Sequence, residues 1–103
     1  REPSDIYWKS AGAKYIVEAS GRFPTAILAR GHFKGGAEHV IVAGSCTGAP
    51  QFLCGINEQV YAGELVVSTG TAQAHCLALL AKVVDDAFGI VHASVNVVQA
   101  CTS

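Results

Sequence analysis

The segment Tyr15-Ile-Val-Glu-Ala-Ser-Gly-Arg-Phe-Pro-Thr25 joins a short β-branched run to a glycine turn and a helix start. Its beginning, Lys14–Glu18, predicts a strand, because aromatic and β-branched side chains favour a pleated, half-buried surface. Gly21 predicts a turn, and Pro24 is well placed before a helix expected over 26–30. Parallel α/β sheets are built from such strand–turn–helix units.

The same alternation continues along the chain. Apolar runs at His39–Ala43 and Leu65–Ser68 predict two further strands, and the first reads as a strand buried on both faces. A short extended piece is expected at Gln51–Ile56 and a last strand at Ile90–Val98. Strands that alternate with helices predict an α/β fold with a parallel sheet.

The longest predicted helix runs from Thr71 to Ala87 and ends at Gly89. Its apolar residues recur with helical spacing, which predicts a buried stripe formed by Leu77, Leu80, Ala81 and Val84. The predicted strands and helices are too few to close a doubly wound sheet. Both sheet edges would then be apolar and exposed, which favours association.

Length and composition limit the function classes. The 103 residues make one ordinary domain or part of a larger one, and a net charge of −1 excludes a strongly basic nucleic-acid footprint. Charged residues make up 15 % of the chain, against roughly 25 % in an average soluble domain. We therefore expect other sequence or partner subunits to cover the apolar edges, in an oligomer or a larger assembly.

The start of the chain and its hydropathy bear on its origin and on membrane association. The chain opens at Arg1 and contains no Met, so we expect a fragment or a processed product. The apolar runs are too short to span a membrane, and no membrane association is expected.

The cysteines lack CxxC spacing and are expected to be small buried hydrophobes in a reducing, cytoplasmic compartment: Cys46, Cys54, Cys76 and Cys101. The histidines and cysteines also lack metal-ligand spacing, so no metal site is expected.

Several segments, in one colinear register, resemble the glyceraldehyde-3-phosphate dehydrogenase family. Residues 15–23 are similar to the family pattern Tyr-Val-Val-Glu-Ser-Thr-Gly-Val-Phe. Cys76-Leu-Ala-Leu-Leu-Ala-Lys-Val83 is similar to Cys-Leu-Ala-Pro-Leu-Ala-Lys-Val, and Phe88-Gly-Ile-Val91 continues the match. Shorter matches are Lys34-Gly-Gly-Ala37, Val40-Ile-Val42 and Gly55-Ile-Asn57.

This resemblance implies an α/β fold with a partial, Rossmann-like, doubly wound parallel sheet. Residues 1–70 would be the later part of an NAD-binding domain. Residues 71–103 would be the catalytic-loop helix and the following strand, at the start of a catalytic domain. The whole chain would form one partial domain.

The resemblance also implies that the family's catalytic residues are missing. It places Ala72 at the position of the nucleophilic cysteine, Gln73 at a phosphate-contacting threonine and Gln99 at the catalytic histidine. A methyl group cannot attack an aldehyde, and a glutamine side chain does not titrate. Cys76 is the only nearby thiol, beside His75, and a packing role is expected for it. We expect no catalytic residue in this chain.

The resemblance places the nicotinamide dinucleotide near Ser20, Gly21 and Phe23. The sequence contains no GxGxxG fingerprint of its own. NAD is therefore implied by resemblance only, and we do not expect this chain alone to bind it.

Two functions remain open. The first is a glyceraldehyde-3-phosphate dehydrogenase-like chain that is catalytically inactive, a pseudoenzyme acting as a structural or interaction subunit. The alternative is a fragment, or an imperfectly assigned sequence, of an active NAD-dependent oxidoreductase of glycolysis. A binding module for RNA or cytoskeleton has no specific residue in its favour.

Overall fold

Three parallel strands form the sheet in the computed structural model, which describes residues 2–100. They are β1 (Tyr15–Glu18), β2 (His39–Val42) and β3 (Val66–Ser68), and they lie in the order β1-β2-β3. In the register, Tyr15 lies opposite His39 and Val40 lies opposite Val66. The strands predicted from the β-branched runs are confirmed, and with them a partial Rossmann-like α/β fold.

Two short helices connect β1 to β2. They are α1 (Ala26–Ala29) and α2 (Gly31–Lys34). The Thr25 hydroxyl caps α1 by accepting a hydrogen bond from the Leu28 N–H at 3.3 Å. The helix predicted after Pro24 is confirmed.

The third helix, α3 (Ala72–Phe88), is the longest element. The Thr71 hydroxyl accepts a hydrogen bond from the Ala74 N–H at 3.1 Å and caps its start. The helix ends at Gly89, where φ is +73°, a value that favours glycine. Its predicted bounds are confirmed to within one residue. Three 3₁₀ helices complete the regular structure: Pro3–Asp5, Trp8–Ala11 and Glu58–Val60.

The core lies on one face of the sheet. The inward side chains are Ile16, Val40, Val42 and Val66, packed with Ala26 and Ala29 of α1. On the opposite face His39 and Ile41 are only half-buried. The expectation that β2 is buried on both faces is therefore wrong, because within residues 2–100 a continuous core covers only one face.

The stripe expected to be buried on α3 is exposed. No residue of α3 is buried, and Leu80 is 62 % exposed. Leu77 and Val84 are also exposed, and Ala81 is half-buried. The periodicity identified the helix correctly, but within residues 2–100 no second layer packs on its apolar face. The radius of gyration, 16.5 Å, accordingly exceeds the roughly 13 Å of a compact chain of this length.

Two extended segments predicted from the sequence are not strands in the structure. Residues 90–98 form no strand and pair with none of the three described strands. In the segment Gln51–Ile56, only Gln51 forms a bridge, to Ser68. A turn follows, in which the Asn57 Oδ1 atom accepts from the Leu53 N–H at 2.7 Å.

The cysteines differ in burial. Cys46 is 7 % exposed, whereas Cys54 and Cys76 are exposed, and all three are free thiols. The expectation of buried cysteines is right for Cys46 and wrong for the other two, whose segments lack a covering layer. The fourth, Cys101, lies outside the described residues.

Among residues 2–100, no helix is both long enough and apolar enough to cross a bilayer.

Candidate functional site

A crevice lies at the carboxyl ends of β1 and β2. Its volume is about 210 Å³. Parallel α/β sheets bind ligands at this end of their strands. The crevice is lined from the β1 side by Glu18, Gly21, Phe23 and Pro24, and from the β2 side by Val42, Ala43, Gly44 and Ser45.

The turn over 20–23 forms the β1 wall of the crevice. Gly21 adopts φ +72°, a left-handed conformation that is costly for other residues. The Ser20 hydroxyl accepts a hydrogen bond from the Arg22 N–H at 3.2 Å, which closes the turn. Gly21 therefore presents bare backbone to the crevice, as a closely approaching ligand requires.

Ser20 itself is directed to Glu18. Its backbone N–H and its hydroxyl both donate to the Glu18 Oε1 atom, at 2.8 Å and 2.5 Å respectively. Ser20 does not line the crevice. Of the three residues expected near the cofactor, Gly21 and Phe23 line the crevice, and Ser20 holds the turn that carries Gly21.

Glu18 is a buried carboxylate, 7 % exposed. Its Oε2 atom lies 3.0 Å from Nε2 of His32, a residue that is 3 % exposed. Burial raises the pKa of Glu18, but the hydrogen bonds from Ser20 and His32 outweigh burial and hold the pKa below its ordinary value. The Glu18 carboxylate is therefore ionised at neutral pH.

Phe23 is half-buried beneath an arginine. Its ring meets the His32 ring edge-on, with centroids 6.4 Å apart. The Arg22 guanidinium carbon lies 6.0 Å from the centre of the Phe23 ring, within range of a cation–π contact. The mouth of the crevice thus combines an aromatic ring with a positive charge, which suits a nucleotide.

The β2 wall of the crevice is fixed by a hydrogen bond from Ser68 of β3. The buried Ser68 hydroxyl donates a hydrogen bond to the Gly44 carbonyl oxygen at 2.5 Å and accepts one from the Gly70 N–H at 3.0 Å. These bonds connect the loop after β2 to the loop that precedes α3. The Ser68 hydroxyl therefore connects Gly44, which lines the crevice, to Gly70, which precedes α3, through two hydrogen bonds.

The three positions at which the resemblance places catalytic chemistry lie close together. Ala72 is the first residue of α3. The next residue, Gln73, donates a hydrogen bond from Nε2 to Oε1 of Gln99. The start of α3 thus carries a methyl group and two neutral amides, none of which can act as a nucleophile or a general base.

Cys76 and His75 follow in the first turns of α3. The Cys76 side chain is exposed. The His75 Nδ1 atom lies 3.0 Å from the Thr71 carbonyl oxygen, which can only accept, so Nδ1 carries a proton. Among residues 2–100, no hydrogen bond joins Cys76 to His75, and no group of three His, Cys, Asp or Glu residues is arranged to hold a metal.

The pairing of Glu18 with His32 was not predicted from the sequence. The two residues are 14 positions apart and meet because the chain between them folds back, which brings the His32 side chain of α2 to Glu18 at the end of β1. The available signal was a charged residue at the end of an apolar strand, next to a glycine turn. Trp8 is the third member of this group: it packs against the core and donates its indole N–H to Nδ1 of His32 at 3.1 Å.

Comparison with known proteins identifies relatives over the whole chain. The chain is 44 % identical over 103 residues to glyceraldehyde-3-phosphate dehydrogenase 1 of Trichoderma koningii. It is 45 % identical over 104 residues to the glyceraldehyde-3-phosphate dehydrogenases of Glossina morsitans morsitans and Podospora anserina. Each alignment covers 100 % of this chain and 31 % of the relative, so the chain spans about a third of their length. No protein-family model matches the chain.

Proposed function

Because the chain is related along its whole length to a third of glyceraldehyde-3-phosphate dehydrogenase, we propose that it is a non-catalytic relative acting as an interaction subunit. In this proposal residues 1–70 correspond to the later part of an NAD-binding domain. Residues 71–103 correspond to the catalytic-loop helix and the segment after it. The chain works in a reducing, cytoplasmic setting, in agreement with the free thiols of Cys46, Cys54 and Cys76.

The observation that carries the proposal is the hydrogen bond between Gln73 and Gln99 beside Ala72. By resemblance, these are the positions of the phosphate contact, the general base and the nucleophile. Oxidation of an aldehyde through a thioester needs a thiolate and a group that accepts a proton. Side chains at these three positions supply neither, and the two amides are already hydrogen-bonded to each other.

The crevice supports a retained half-site for a dinucleotide. Gly21 exposes backbone, Phe23 supplies a ring and Arg22 supplies a positive charge at its mouth. NAD is the cofactor that the family name implies, but the sequence holds no GxGxxG phosphate turn of its own to complete a dinucleotide site. We propose that this half-site binds NAD only when another protein surface completes it.

Exposed apolar residues support the interaction role. Leu80 is 62 % exposed, Val83 66 %, Phe88 86 % and Val98 98 %. These side chains lie on α3 and on the extended segment that follows it. A protein surface that covers them would remove several hundred Å² of apolar area from water, the scale of an interaction patch. The proposed partners are protein subunits, including further copies of this chain.

The test of the catalytic part is an activity measurement. The chain is incubated with glyceraldehyde 3-phosphate, NAD and inorganic phosphate, and NADH formation is followed by absorbance. We expect no turnover above buffer, and the same result for Cys76→Ser. Turnover that disappears in Cys76→Ser would show that Cys76 has replaced the missing thiol and would overturn the proposal.

A second candidate is a segment of an active NAD-dependent glyceraldehyde-3-phosphate dehydrogenase. It is favoured by the radius of gyration of 16.5 Å, because a sheet with one open face and an uncovered helix suits a piece of a larger domain. Sequencing and intact mass of the natural polypeptide separate the two. A polypeptide several times longer, with Cys and His at positions 72 and 99, would establish the second candidate.

A further inference from the structure

Four side chains form one continuous hydrogen-bonded chain that reaches the crevice at Glu18, one of its lining residues. The Trp8 indole N–H lies 3.1 Å from Nδ1 of His32, and Nε2 of His32 lies 3.0 Å from the Glu18 carboxylate. The other Glu18 oxygen accepts both donors of Ser20. The chain therefore runs from the 3₁₀ helix Trp8–Ala11 to the turn over 20–23.

The donors and acceptors determine the protonation state of His32. An indole N–H can only donate, so Nδ1 of His32 must offer its lone pair. The His32 proton then resides on Nε2, from which it is donated to Glu18. The imidazole is neutral, and Glu18 carries the one negative charge of the network, with three hydrogen bonds donated to it.

This arrangement has a consequence for the crevice. Ser20 gives both of its donors to Glu18, and its hydroxyl oxygen accepts from the Arg22 N–H. Those three bonds hold the backbone on both sides of Gly21. Without the Glu18 acceptor, the bond from the Arg22 N–H is the one described hydrogen bond of Ser20 that remains, and it lies within the turn itself.

We propose that Glu18 is a positioning residue for the crevice turn, and that the Nε2-protonated tautomer of His32, imposed by Trp8, keeps Glu18 in place. Glu18 acts through Ser20 on Gly21 and Phe23, the residues that a nucleotide would touch. The nucleotide in this inference rests on the proposed function. The tautomer and the ordered turn do not depend on it.

The first experiment measures the His32 tautomer. Nitrogen-15 NMR of the full chain at neutral pH distinguishes a protonated from an unprotonated ring nitrogen. The expected result is a protonated Nε2 and an unprotonated Nδ1 in the absence of ligand. A protonated Nδ1, alone or together with Nε2, would overturn the inference without any variant having to fold.

The second experiment uses variants of Glu18. Glu18→Met keeps the length of the side chain but removes both acceptors, and we expect the Ser20 and Arg22 amides to lose at least tenfold in hydrogen-exchange protection. Glu38→Met is the control, because Glu38 is exposed and its carboxylate pairs with Lys14. Equal protection in Glu18→Met and Glu38→Met would overturn the inference.

Glu18→Gln separates positioning from simple packing. Its amide offers one acceptor and one donor, so it can satisfy Ser20 or the present tautomer of His32, but not both. We expect either the His32 nitrogen signals or the Ser20 amide protection to change. If both stay as in the wild type, the hydrogen bonds are not what positions the turn, and the inference fails.

The third experiment concerns the nucleotide. NAD is titrated into the wild-type chain and into the Glu18 variants while the Gly21 amide signal is followed. If the wild type responds, we expect an affinity at least fivefold weaker in Glu18→Met. An equal affinity would overturn the positioning role in binding. No response at any NAD concentration agrees with a half-site that binds NAD only when another protein surface completes it. The tautomer and exchange results then decide whether Glu18 positions the turn.

Discussion

Gln73 donates a hydrogen bond to Gln99, and this contact joins the first turn of α3 to a residue 26 positions later. Residues 89–100 have no regular structure, yet they return to the start of the helix. The contact brings together two positions that the family resemblance had independently assigned to catalysis. In the proposed function, two positions that correspond to catalytic ones in the relatives therefore meet, but neither side chain can act as a nucleophile or a general base.

A thiol placed at the start of α3 should be reactive. In Ala72→Cys, the partial positive charge at the start of a 17-residue helix should lower the pKa of the new thiol. We expect residue 72 to react with iodoacetamide several-fold faster than Cys54, which is exposed but lies in a loop. Peptide mass spectrometry after timed quenching measures both rates. A rate at residue 72 no higher than that of Cys54 would show that the helix start does not activate a thiol.

The native thiols should differ in reactivity. Cys46 is buried, and burial raises the pKa of its thiol, whereas Cys54 and Cys76 are exposed. We expect Cys46 to be alkylated much more slowly than either exposed cysteine, and its protection to disappear in denaturant. The same peptide mapping in native buffer and in urea checks this. Fast labelling of Cys46 in native buffer would contradict the burial.

Glu18 should make the fold sensitive to acid. Its pKa is below the ordinary value of 4.5, so its ionised form contributes stability that is fully present well above pH 4.5. That contribution is lost as the pH falls through the lower pKa of the folded state. We expect the free energy of unfolding to fall with acid in the wild type, and to fall less steeply in Glu18→Gln. Urea unfolding at a series of pH values tests this, and parallel curves for the two proteins would refute it.

The exposed face of α3 should drive association. Leu80→Lys places a charge on that face while changing stability by only about 0.5 kcal/mol, as is usual for surface positions. We expect sedimentation to show weaker self-association than in the wild type. Ile27→Lys is the matched control, because Ile27 is 82 % exposed on α1. Equal effects of the two substitutions would show that α3 is not the specific surface.

Local patterns predicted the elements of the fold. The β-branched runs located β1 and β2, and Thr71 and Gly89 marked the ends of α3, because strand propensity and helix caps act over a few residues. The exposure of the apolar stripe on α3 and the absence of strand pairing at residues 90–98 could not be predicted in this way. Both depend on a second layer of structure, which the residues described here do not supply.

The candidate site was predicted in part. Gly21 and Phe23 line the crevice, as the strong local signal of a glycine turn after β1 suggests, and their contact with NAD stays a prediction. The contacts of His32 with Glu18 and Trp8 were missed because they join residues 14 and 24 positions apart. Such contacts depend on how segments far apart in the chain pack together, which no short sequence pattern shows.

The most direct test of the central claim is a search for a covalent intermediate. The chain is incubated with glyceraldehyde 3-phosphate and NAD without inorganic phosphate, and its intact mass is then measured. With Ala72 and Gln99 at the positions that the resemblance assigns to the nucleophile and the base, we expect no added mass either before or after hydroxylamine treatment, and no NADH. A hydroxylamine-sensitive acyl adduct on Cys76, formed together with NADH, would contradict a non-catalytic chain.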